Sequence, residues 1–244
     1  MKLLPLPEMA LLAPQIYGFF DDFQGFLTAT ATDKYTVVTA VDGTVTQIDA
    51  RPGGVAIKSA AASAAGDEDC YLAREAETFL PVADKPIIFE ALVQATEDDV
   101  NQNNLYVGLA DAVAANLLVS AGAGPKASGS MLGFFKVDGG LNWNIIASIG
   151  ATQTKVELSA ANSLDKVAKV GSGASDQRLR IECLPKNATQ ADVLFFIDGV
   201  LVYKLTDWVF TSATDMQAVC GCKDGDAGDE TTINLRYWFC YQKR

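Results

Sequence analysis

Carboxylates are the most abundant groups in this sequence that could do chemistry. Its 244 residues carry 30 Asp and Glu against 19 Lys and Arg, and no histidine at all. The missing imidazole removes Ser-His-Asp triads, Cys-His pairs and most zinc sites in one step. What is left for acidic side chains is a hard cation or acid–base work on a sugar. Asp224-Gly-Asp-Ala-Gly-Asp-Glu230 is the best cation candidate, with Asp224, Asp226 and Asp229 as possible calcium ligands. It departs from the EF-hand register, because Asp229 stands where the sixth-position glycine belongs. The plainer reading is a solvated acidic turn. A second run, Glu97-Asp98-Asp99 followed by Asn101, Asn103 and Asn104, is a polar loop between strands without recognisable ligand spacing. Asp67-Glu68-Asp69 borders an Ala-rich loop. Glu90 and Glu182 stand alone, each at a solvent-facing strand position, so no catalytic carboxylate pair is visible and an enzyme is not expected.

The cysteines give no stronger signal. Cys70, Cys183, Cys220, Cys222 and Cys240 are odd in number and scattered, unlike a secreted disulfide framework. Cys220-Gly221-Cys222 has the wrong spacing for a CxxC motif. Buried thiols formed in a reducing compartment are the simplest expectation.

A surface with net charge −11 repels phosphate backbones, so no nucleic-acid partner is expected. No apolar run is long enough to span a membrane. The apolar start is broken by Pro5, Pro7 and Glu8, and no clean cleavage site follows, so it does not read as a signal peptide.

The elements that must position any site are strands. Asp-Gly pairs at Asp42-Gly43, Asp138-Gly139 and Asp198-Gly199 separate apolar runs and predict three hairpins, the first joining Tyr35–Val41 to Thr44–Ile48. Arg178–Cys183 alternates, with Leu179, Ile181 and Cys183 inward. Thr231–Tyr241 is expected to place Leu235, Tyr237, Phe239 and Tyr241 on one face and Arg236, Trp238 and Cys240 on the other. Residues 111–120 and 160–170 are the only helix candidates. Many strands and few helices mean an antiparallel sandwich or barrel. No linker or repeat divides it, so residues 17–244 read as one all-β domain. Residues 1–16 form a Pro-broken apolar arm whose Leu3, Leu4, Leu6, Leu11, Leu12 and Ile16 must be buried, either on this domain or on a neighbouring subunit.

Several blocks then add up: Phe20-Asp-Asp-Phe23, Phe89-Glu-Ala-Leu-Val93, Val107-Gly-Leu-Ala-Asp111, Arg178–Glu182, Asp192–Val202 and Asn234–Phe239. Their order resembles the concanavalin A-like, laminin G-like jelly-roll superfamily over nearly the whole chain. The Ile197-Asp-Gly-Val-Leu-Val202 block is the most specific. That likeness implies a jelly-roll β-sandwich with an extended N-terminal arm. The superfamily's glycosidases carry Glu-x-Asp-x-(x)-Glu on one strand, which is absent here. In its lectins, exposed aromatic rings stack on sugars, and Trp143 is the candidate for that role, against a core or interface position for Trp143, Trp208 and Trp238.

The arm and the Ala/Thr/Gly-rich style also resemble tailed-bacteriophage virion proteins. The leading expectation is therefore a capsid decoration (cement) protein on the virion surface. It would be a trimer or dimer contacting the major capsid protein and its own copies, with no required cofactor. The alternative is a carbohydrate-binding or receptor-binding tail component.

Overall fold

The computed structural model describes residues 16–24, 26, 34–39, 42–49, 52–60, 68–97, 103–114, 116–119, 124–164, 175–211, 213–224 and 230–244. Among them every regular element is a strand, and every strand pairing is antiparallel. One sheet has eight strands. Its order is β15 (Val200–Val209), β14 (Gln190–Ile197), β13 (Gln177–Pro185), β6 (Ile87–Glu97), β17 (Thr231–Lys243), β4 (Val55–Lys58) and β3 (Thr44–Gln47). β1 (Ile16–Asp21) pairs with the second half of β17. The other sheet has seven strands, in the order β12 (Thr152–Glu157), β11 (Asn144–Ile149), β10 (Met131–Lys136), β7 (Asn103–Ala110), β16 (Met216–Asp224), β5 (Asp69–Phe79) and β2 (Thr36–Thr39). A two-residue ladder joins β8 (Leu118–Val119) to β9 (Gly124–Pro125). The two large sheets pack face to face as a jelly-roll sandwich, as the sequence led us to expect.

Alternation drives this arrangement. Leu179, Ile181 and Cys183 of β13 are buried, as are Ala191, Val193, Phe195 and Ile197 of β14, so each strand gives the interior one face. Leu105, Val107 and Leu109 of β7 meet them from the opposite sheet. The Asp198-Gly199 hairpin forms as expected: Ile197 pairs with Val200, and both turn residues have positive φ, 51° and 83°, as a type I′ turn requires. β10 and β11 also pair across the Asp138-Gly139 turn.

Three expectations are corrected. Asp42-Gly43 does not close a hairpin, because β2 pairs with β5 in one sheet and β3 with β4 in the other. The chain changes sheets there. Gly43 is tightly enclosed: a Cβ would lie 2.9 Å from Cys70 Cβ and 3.2 Å from the carbonyls of Asp69 and Lys58. Neither helix candidate is helical where described. Residues 111–114 and 116–119 belong to an irregular strap ending in β8, and residues 160–164 form turns, while 115, 120 and 165–170 lie outside the described residues. Finally, β17 carries a bulge between Leu235 and Tyr237. One extra residue reverses the alternation, so Leu235, Trp238 and Cys240 all face the core and Tyr237, Phe239 and Tyr241 face outward.

The bulge builds an aromatic cluster that pins β1. Trp238 is fully buried, with Phe19, Phe23 and Tyr35 at 5.7, 5.9 and 6.2 Å between ring centroids. Arg74 lies 4.3 Å from the Phe19 ring centroid. Its Nη1 donates to the Tyr35 hydroxyl at 2.9 Å and approaches Asp21 Oδ2 at 3.4 Å, and the Tyr35 hydroxyl donates to the same Asp21 carboxylate. A buried charge held by a carboxylate, a phenol and two ring faces is compensated on several sides. With Phe19 turned inward, its neighbour Phe20 must point outward.

Candidate functional site

The outer faces of the two sheets differ sharply. Along the middle of the seven-stranded sheet the outward positions include Ala73, Gly221, Gly108 and Gly133, flanked by Tyr71 and Tyr106. The glycines leave room for the rings: a Cβ on Gly133 would lie 2.7 Å from Tyr106 Cζ, and one on Gly221 would lie 2.3 Å from Tyr71 Cδ1. The strap closes over this floor. Leu117 and Leu118 are buried against it, and the Leu118 amide donates to the Tyr71 hydroxyl at 3.0 Å. Lys155 Nζ reaches the Pro125 carbonyl at 2.9 Å, and Gln153 Nε2 reaches that of Lys126 at 2.7 Å.

Asp111 anchors the strap. Its carboxylate accepts from the Ser130 amide (2.7 Å), Lys126 Nζ (3.1 Å) and the Thr214 hydroxyl (3.1 Å). Partial burial pushes this carboxyl up, but the Ser130 amide, Lys126 and Thr214 outweigh it and hold it below the usual carboxylate range. The chain's own strap thus covers much of this face.

Among the described residues no such strap lies over the eight-stranded sheet. Its registers bring Phe20, Phe239, Glu90, Arg180 and Phe196 into one cross-strand row over β1, β17, β6, β13 and β14. Neighbouring rows add Tyr237, Leu92 and Arg178 on one side, and Tyr241, Ile88, Glu182 and Leu194 on the other. Phe20 is 58% exposed and stacks near Tyr237, with centroids 6.0 Å apart and planes 27° off parallel. Phe239 and Tyr241 stack likewise at 5.2 Å and 28°.

Polar groups sit among these rings. Arg180 bridges two carboxylates: Nε and Nη2 donate to Glu182 Oε1 at 2.8 and 2.5 Å, and Nη1 lies 3.4 Å from Glu90 Oε2. The Tyr237 hydroxyl donates to Glu90 Oε1 at 2.8 Å. Burial and this bond to a carboxylate raise the Tyr237 phenol well above its usual range, so it stays a neutral donor. Farther along, Gln94 Oε1 accepts from Arg236 Nη2 at 2.8 Å and Asn234 Nδ2 at 3.0 Å. The surface therefore offers ring faces beside fixed hydrogen-bonding groups, which suits a flat, hydroxyl-rich ligand.

The candidates singled out in the sequence fall elsewhere. Trp143 is fully buried in the core, 6.2 Å from Phe134, with its Nε1 donating to Gln177 Oε1 at 3.0 Å. A ring with no exposed area cannot stack on a sugar, so that expectation is corrected. Trp208 and Trp238 are also buried. Asp224 lies in β16, buried, and accepts from the Ser59 hydroxyl between the sheets rather than facing a solvated turn. Asp226 and Asp229 lie outside the described residues. Among the described residues, no group of three or more Cys, Asp or Glu is placed to hold a metal ion. Of the arm residues, Ile16 is half-buried in β1, and Leu3, Leu4, Leu6, Leu11 and Leu12 lie outside the described residues.

Sequence reading set Glu90 and Glu182 apart as isolated. The structure brings them together, because β6 and β13 are neighbours and Arg180 lies opposite Glu90. The signal was present in the parity of each strand, but the neighbour relation was not. The aromatic row was hidden by the β17 bulge.

No family model matches the chain, and no curated protein matches it in sequence. Solved structures match its fold. The carbohydrate recognition domain of Emp46p, in metal-free form, superposes with TM-score 0.55 at 10% identity, covering 85% of this chain and 88% of that one. A potassium-bound form of that domain matches similarly, at 9% identity. Peanut lectin matches with TM-score 0.55 at 8% identity, over 93% and 97% of the two chains. Enzymes share the architecture: an endo-β-1,4-glucuronan lyase from the fungus Trichoderma reesei matches with TM-score 0.54 at 12% identity, over 92% and 93%. With its two antiparallel sheets and these likenesses, the chain has the lectin-like, concanavalin A-type jelly-roll fold.

Proposed function

We propose that this chain is a non-catalytic carbohydrate-binding domain whose ligand lies on the outer face of the eight-stranded sheet. The observation that carries the reading is the outward-facing row Phe20–Phe239–Glu90–Arg180, with the Tyr237 ring beside it. The exposed Phe20 ring and the half-buried Tyr237 and Phe239 rings supply flat apolar contact for the C–H face of a pyranose. Glu90 and Glu182 are acceptors and Arg180 a donor for its hydroxyls, already fixed by one another. The carbohydrate recognition domain and the lectin among the fold relatives support this class of ligand. The capsid-decoration reading, with its virion location and its trimer or dimer, rests on the arm and on sequence style, and the structures above carry no virion description.

A glycan array probed with the purified protein, with and without calcium, tests the reading. Binding to a defined glycan set, lost in Phe239→Ala, is expected. A blank array under both conditions overturns it.

A further inference from the structure

Five cysteines lie in the core, all as free thiols, and one pair among them is placed differently from the rest. Cys70 of β5 stands directly opposite Cys222 of β16. The others face different residues: Cys220 lies between Leu72 and Val107, Cys183 between Val193 and Ile87, and Cys240 between Phe19 and Phe89. Both strands are interior to the seven-stranded sheet, and both side chains belong to the core between the sheets.

The two sulfurs also point to the same corner. Cys70 Sγ approaches the Thr44 carbonyl at 3.5 Å, and Cys222 Sγ approaches those of Ile57 and Thr231 at 3.6 and 3.5 Å. Thr44 pairs with Lys58, and Lys58 with Thr232, so these carbonyls belong to one patch of the facing sheet. Directly opposite residues of an antiparallel pair have Cα atoms about 4.5–5.5 Å apart. That lies inside the roughly 4.4–6.8 Å range that a disulfide needs.

We propose that Cys70 and Cys222 are a covalent redox site, closing a cross-strand disulfide when the chain folds in the presence of a small disulfide oxidant. One thiolate attacks the oxidant and releases one thiol. The second then displaces the mixed disulfide and releases another. The protein loses two hydrogens, and the oxidant is reduced to two thiols. The reaction belongs to folding rather than to the finished sandwich. Once β16 has closed on β5 both residues are fully buried, and burial raises the Cys70 thiol to about 12 and the Cys222 thiol well above its usual value. Reduced folded protein is therefore inert, and the oxidised form resists reductants until it unfolds. Because the bond ties positions distant in sequence, it restrains the unfolded chain strongly.

The test is to refold denatured, reduced protein in a glutathione disulfide buffer and, in parallel, in dithiothreitol. Intact mass, thiol titration and peptide mapping are then read. The oxidised product is expected to lose two hydrogens, to keep three titratable thiols of its five, and to link the Cys70 peptide to the Cys222 peptide. It should also melt at a higher temperature than the reduced form. Cys220→Ala keeps the crosslink, and Cys222→Ala loses it. Five free thiols in folded protein from the oxidising buffer overturn the proposal, as does a map that links Cys220 instead. Failure to fold only in the oxidising buffer also counts against it, because the proposed bond must fit the native register.

Discussion

The Tyr237 hydroxyl donates to Glu90 Oε1 at 2.8 Å across the β17–β6 boundary, joining a half-exposed ring to a nearly buried carboxylate. This bond fixes a point on the outer sheet face where a ring and an acceptor meet. Tyr237→Phe keeps the ring and removes the donor. We expect a loss of about 1.5–3 kcal/mol in stability, typical of one hydrogen bond to a charged group, and a several-fold weaker glycan affinity. Denaturant unfolding and titration calorimetry on the same preparation separate the two effects.

Core and surface aromatics should behave oppositely. Trp143→Ala empties a fully buried site and should destabilise the fold by about 3–5 kcal/mol. Phe20→Ala, at a 58% exposed position, should leave the melting temperature within about 2 °C of wild type while weakening glycan binding at least about tenfold. Thermal melts and binding isotherms check both.

The strap carries a pH dependence. Asp111 titrates below the ordinary carboxylate range when folded, so its contribution is complete above the unfolded value near about 4 and fades as pH falls through the lower folded value. Asp111→Asn should melt lower than wild type at neutral pH. That gap should narrow as the pH falls below about 4. Melting temperature measured from pH 7 downward tests the sign.

Gly221 has no room for a side chain. Its Cβ would sit 2.3 Å from Tyr71 Cδ1 and 2.5 Å from the Cys70 carbonyl oxygen. Gly221→Ala must displace backbone in two central strands, and we expect at least about 2–3 kcal/mol of destabilisation. Soluble yield and urea unfolding report it.

Much of the fold was legible because alternation is a local property. β13 and β14 read directly from Leu179, Ile181, Val193 and Phe195, and the Asp198-Gly199 turn gave β14 its partner β15. Asp42-Gly43 misled because an Asp-Gly pair specifies a bend, and long-range pairing decides whether the strands beside it meet. The β17 bulge misled for a related reason: one extra residue at Arg236 reverses the faces without any change in composition. The candidate site depended on both kinds of information. Its aromatic row needs that bulge, and its Glu90–Arg180–Glu182 cluster needs β6 beside β13, a contact between segments far apart in sequence.

The most direct measurement is calorimetric titration of an array-selected glycan into wild-type protein and into the Phe20→Ala/Phe239→Ala double variant, with matched melting curves. The account predicts saturable wild-type binding and at least about a tenfold weaker Kd in the double variant, which corresponds to about 1.4 kcal/mol. Equal affinity in a folded double variant would contradict the claim that this sheet face holds the ligand.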